Sequence, residues 1–152
     1  ITQFSLKVTQ SRKKSSNFVA DMKKAHPLTR QRDADLRNLY TQVIKKSGVN
    51  PMYLSRETIL DALSEHTAPR FYIEPFQARH YVTLYYSKRT IHKSPIKQAM
   101  IRNLVEVFET IRPQHMNLPM AEIWQMVVEH PAKSFYLSRQ RIKEIILNYR
   151  TK

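Results

Sequence analysis

Two short stretches bring together the side chains best suited to reading a base edge. Arg139, Gln140, Arg141 and Lys143 stand close together near the C-terminal end of the chain, and Gln77, Arg79 and His80 form a similar group earlier. A guanidinium can donate two parallel hydrogen bonds to guanine, and a glutamine amide pairs in the same bidentate way with adenine. A helix that carries such residues on its first turns is narrow enough to enter a major groove. The same residue types also make an ordinary solvated helix face, so the pattern is suggestive rather than diagnostic. Other cations suit the phosphate backbone. Arg12, Lys13 and Lys14, with Lys23 and Lys24 beyond them, have the character of an arm that lies along phosphates. Arg70 and Lys133 stand beside Tyr72 and Tyr136, whose rings could stack on bases or, with Phe71 and Phe135, anchor a core.

Catalytic constellations are missing from the sequence. It has no His-Glu-x-x-His zinc motif, no Gly-x-Ser-x-Gly elbow and no His-x-x-Arg pair. The single glycine, Gly48, rules out the glycine-rich loops that cradle a nucleotide phosphate. The absence of cysteine removes disulfides, thiolate metal sites and thiol nucleophiles together. A non-enzymatic protein without cofactor or metal is therefore expected. The carboxylates Asp61, Glu65, Glu122 and Glu129 read as partners for the many cations.

Charge gives the broadest indication of a partner. Lys and Arg number 26 against 12 Asp and Glu, a formal net charge of +14, and a field of that sign attracts phosphate polymers and anionic surfaces. No apolar run approaches the ~18 residues of a membrane span, and the N-terminus lacks the layout of a signal peptide. An intracellular location without membrane insertion is the expectation.

The elements that would position these residues come from a self-comparison. Shifting the sequence by 64 places Leu54 on Leu118, Ile59 on Ile123, Glu65 on Glu129, His66 on His130, Ala68 on Ala132, Phe71 on Phe135, Tyr72 on Tyr136 and Tyr85 on Tyr149. The matches fall mainly on apolar or aromatic positions in one ungapped register, which reads as an internal duplication. Each copy opens with an amphipathic helix. Leu36, Leu39, Tyr40, Val43 and Ile44 line the first, and Ile96, Met100, Leu104, Val107, Phe108 and Ile111 line the second. Gly48 and Pro51 end one, Pro113 the other. A second helix follows over 55–65 and 119–129, with His66 and His130 as C-terminal caps. The runs 70–73 and 134–137 look extended and could pair as short strands. A third helix then starts after Glu74 or Ser138. Taken alone, 80–86 would pass for a strand; its counterpart's helical pattern makes it a helix. Outside the repeats, Phe4, Leu6 and Val8 alternate as in a half-buried strand, 18–24 suggests a short helix stopped by His26-Pro27, and Thr29 to Arg32 form a charged lead.

The fold class expected is thus mainly α: two tandem tri-helical repeats, 33–88 and 94–152, after an N-terminal extension over 1–32, with the repeats either separate or packed as one domain. Three helices per copy resemble the layout of helix-turn-helix modules, although the connection from Glu65 to Glu74 exceeds the usual ~3–4 residue turn. The partner this layout implies is nucleic acid, with double-stranded DNA favoured over RNA because no glycine-and-aromatic RNA signature is present. The second copy's third helix, richer in Arg and Lys, is expected to dominate phosphate contact. The alternative is a structural or adaptor protein of a nucleoprotein or viral assembly acting through protein contacts, which predicts an exposed apolar patch around Trp124 and Met126.

Overall fold

Each helix begins where the chain offers a side-chain acceptor for a backbone N–H, or a proline. In the computed structural model, which describes residues 26–88 and 94–150, α1 (Pro27–Ser47) opens with Pro27 in its first turn and the His26 Nδ1 accepting from Leu28 N–H at 3.0 Å. Thr29 to Arg32, expected as a lead, therefore lie inside the helix: the His-Pro pair starts this helix. The expected strand at Phe4, Leu6 and Val8, the helix over 18–24 and the Arg12, Lys13 and Lys14 cluster lie outside the described residues. Gly48 closes α1 in the left-handed region at φ 67°, its N–H bonded to the Lys45 carbonyl. An L side chain there would meet open space but would carry the conformational cost.

The remaining starts follow the same logic. Ser55 caps α2 (Arg56–Glu65) by accepting from Thr58 N–H at 3.0 Å. Gln77 Oε1 accepts from Glu74 N–H at the head of α3 (Pro75–Ser87). Ser94 caps α4 (Pro95–Ile111), Pro119 precedes α5 (Met120–Glu129), and Ser138 Oγ accepts from Arg141 N–H at 3.1 Å in α6 (Arg139–Arg150). Single 3-10 turns at Pro51–Tyr53 and Arg112–His115 follow α1 and α4. The β-rich segment 80–86 is helical because Ala78 and Val82, one turn apart, are buried where α3 packs on α4 and α5.

Among the described residues there is no strand. The pairing expected over 70–73 and 134–137 is replaced by one antiparallel bridge upstream, Ala68 with Ala132, and by side chains that cross between the two segments. Phe71 stacks on Tyr136 with centroids 6.4 Å apart, and Tyr72 stacks on Phe135 at 5.8 Å. Tyr136 sits at φ 56°, which breaks the extended geometry that a ladder needs.

Helix packing does not follow chain order. α6 packs on α1 and α2, whereas α3 packs on α4 and α5. The third helix of each expected repeat thus docks in the other, across the boundary anticipated between 88 and 94. One hydrophobic cluster results, running from Leu36, Leu63 and Phe71 through Leu104, Ile123 and Ile142. Residues 56–65 and 120–129, the two second helices, are of equal length and start 64 positions apart. No helix among the described residues is long and apolar enough to cross a membrane.

Candidate nucleic-acid interface

The burial of Ala78 and Val82 fixes which side of α3 faces outward. Phe76, Arg79, His80 and Thr83, at positions i, i+3, i+4 and i+7, form the opposite stripe and are all exposed, Phe76 at 70%. The sequence of α3 contains no Asp or Glu, and Arg79 makes no ion pair among the described residues. Gln77 is exposed at the edge of this face, with its side-chain oxygen engaged by the Glu74 amide. The arrangement offers a cation and an aromatic ring on one solvent-facing helix surface, groups that suit phosphate and base contact respectively.

The helix expected to correspond to it, α6, is differently disposed. Arg139 Nη2 lies 2.5 Å from Glu57 Oε1, and its Nη1 bonds Asp61; both carboxylates belong to α2. Asp61, and then Glu57, hold the guanidinium further above its ordinary pKa. Arg141 reaches Glu144 at 3.2 Å, and Gln140 donates to the same carboxylate at 3.3 Å. Lys143 lines a cleft with Arg56. Of the other expected cations, Arg70 donates from Nε to the Phe71 carbonyl at 2.9 Å, and Lys133 pairs with Glu106 at 2.9 Å. The dominance expected of the second copy's cations therefore meets an opposing fact: Arg139 is already neutralised by carboxylates far away in sequence. Nor does the chain gather the two basic groups onto one helix pair, since α3 and α6 dock in different groups.

The tyrosines are tied into the fold. Tyr72 donates to Asp35 Oδ2 at 2.5 Å, and burial, reinforced by Asp35, pushes its hydroxyl well above the usual tyrosine range. Tyr136 donates to Asn103 Oδ1 at 2.7 Å, and burial raises its pKa to about 12. Asn103, the buried polar residue of the described core, also accepts from Lys133 N–H at 2.9 Å. Each tyrosine ring already stacks on a phenylalanine, so base stacking has lost at least one face of each.

Trp124 corrects another expectation. It is only 6% exposed, stacked on Phe108 with centroids 4.5 Å apart, and Met126 is half-buried. The patch predicted for an adaptor is core, because the apolar stripe of α5 faces α3 and α4. His66 and His130 do stand at helix C-termini, each with Nδ1 against the next residue's carbonyl, at 2.8 and 2.7 Å. Among the described residues no group of three or more His, Asp or Glu side chains is placed to hold a metal ion.

One feature was not anticipated. A cleft of about 650 Å³ opens between α1, α2 and α6, next to the turn carrying Met52. Its sequence signal was the mismatch of Leu60 with Trp124 in the 64-residue register. No known protein family, curated protein or solved structure matches the chain.

Proposed function

We propose that the chain is a non-enzymatic, intracellular nucleic-acid-binding protein, built from two diverged tri-helical copies at a 64-residue offset, and that α3 presents its outward face to duplex DNA. The observation that carries this reading is the α3 stripe: Arg79 without a carboxylate partner among the described residues, beside exposed Phe76 and His80, on a helix free of acidic residues. The net charge of +14 supplies the long-range attraction such a surface needs. The duplication is supported by the Ala68–Ala132 bridge and by the crossed stacks of Phe71 on Tyr136 and Tyr72 on Phe135, in which each contact has its counterpart at the same offset. Duplex DNA is favoured over single strands because the tyrosine rings are engaged internally, and over RNA because the chain lacks an RNA-recognition signature.

The test is fluorescence anisotropy of labelled duplex DNA, duplex RNA and single strands, each titrated across a salt series. Tighter binding to duplex DNA is expected, with a steep salt slope that Arg79→Ala reduces by about one, the loss of one phosphate contact. Equal, weak binding to every polymer, or a slope that Arg79→Ala leaves unchanged, would overturn the reading.

A further inference from the structure

The cleft between α1, α2 and α6 is walled mainly by apolar side chains, among them Tyr40, Leu60 and Ile146. In the 64-residue register Leu60 corresponds to Trp124, whose ring stacks face to face on Phe108 between α4 and α5. Leu60 is the smaller side chain of that pair of positions and lines the cleft. An open apolar cleft forfeits dispersion contacts that its lining would otherwise make. Position 56 diverges as well: Arg56 stands where the other group has Met120.

The chemistry of the opening is specific. Arg56 and Lys143 line it, and neither makes an ion pair among the described residues. Apolar surface continues outward from the cleft over the adjoining turn, where Met52 is 78% and Tyr53 76% exposed. A volume of about 650 Å³ lies within the range of ligand sites. The exposed turn extends the apolar surface beyond the cleft itself, which suits an extended occupant better than a small molecule.

We infer that this cleft receives an acidic, amphipathic segment of a partner protein, whose bulky apolar side chains enter between Leu60 and Ile146 while its carboxylates pair with Arg56 and Lys143. Charge complementarity selects the occupant: two cations with no ion pair among the described residues, at an apolar opening on a chain of net charge +14, disfavour a basic or purely apolar segment. The site is separate from the α3 face and holds whether or not that face binds DNA.

The experiment is selection of a random phage-displayed peptide library on the immobilised full chain, followed by anisotropy titration of the enriched peptides. Enriched sequences are expected to combine Leu, Phe or Trp with Asp or Glu. Leu60→Trp, which places in the cleft the residue found at the equivalent position of α5, should weaken them about tenfold or more, as loss of an anchor pocket does. Arg56→Glu, at an exposed position, should do the same without disturbing the fold. Should Leu60→Trp fail to fold, Met52→Glu, also exposed, takes its place. Failure to enrich any peptide, enrichment of peptides without carboxylates, or equal binding to the wild-type chain and these variants would overturn the inference.

Discussion

Ala68 and Ala132 each donate a backbone hydrogen bond to the other's carbonyl, both at 2.9 Å. They are separated by 64 positions, and the stacks beside them cross in the same sense, Phe71 to Tyr136 and Tyr72 to Phe135. A two-fold axis passing between the alanines would generate this pattern. The close approach depends on small side chains, since both alanines are almost fully buried. Ala68→Leu or Ala132→Leu should each cost about 1–3 kcal/mol by overpacking, read from the urea midpoint. Unchanged midpoints would mean that the crossing has room to spare.

Asn103 joins three parts of the second half. Its Oδ1 accepts from the Lys133 amide and the Tyr136 hydroxyl, so removal strands two donors at once. Asn103→Ala should destabilise the protein by about 2–4 kcal/mol, given the cost of leaving such groups unpaired. Tyr136→Phe, which removes one of those donors instead, should cost less; the reverse order in denaturant unfolding would show that the Lys133 amide finds another acceptor.

Tyr136 also sets a pH dependence. Burial favours its neutral form, raising the pKa from 10.0 to about 12 in the folded chain. The folded state therefore holds this proton more tightly than the unfolded state. The associated stability is fully present below pH 10.0 and is lost as pH rises through about 12. The thermal midpoint should fall across that interval, and fall less in Tyr136→Phe. Identical alkaline slopes for the two proteins would refute the assignment.

Arg139 and Arg79 should separate stability from binding. Arg139→Ala removes the tie from α6 to Glu57 and Asp61 and should lower the thermal midpoint, an effect that shrinks at high salt. Arg79→Ala should leave the midpoint in place and weaken duplex DNA binding. If Arg139→Ala instead weakened DNA binding at unchanged stability, α6 and not α3 would be the contacting helix.

Helix positions were largely legible in the sequence because caps are local. Ser55, Gly48, Pro75 and Ser138 mark ends that depend only on neighbouring backbone groups. The His26-Pro27 pair misled, since a proline that would stop a preceding helix equally opens a following one. Docking was not legible. An apolar stripe states that a helix is buried, not against which helix, so the docking of α6 on α1 and α2 and of α3 on α4 and α5 left no periodic trace. For the same reason the sequence left open whether Trp124 is core or, as the adaptor alternative required, surface. The candidate site was half legible: the groups at 77–80 and 139–143 stand out by type, but the commitment of Arg139 to Glu57 and Asp61 spans most of the chain and has no local signature.

The docking of α6 on α1 and α2 also imposes an order on biosynthesis. α1 and α2 leave the ribosome early, yet the helix that covers them, α6, is translated after every other helix described. α3, α4 and α5 are consecutive, so they can assemble as soon as they emerge. During translation the apolar surface of α1 and α2, made first among the described helices, is thus the last of them to be covered, and that nascent stage is where a chaperone would find most to bind.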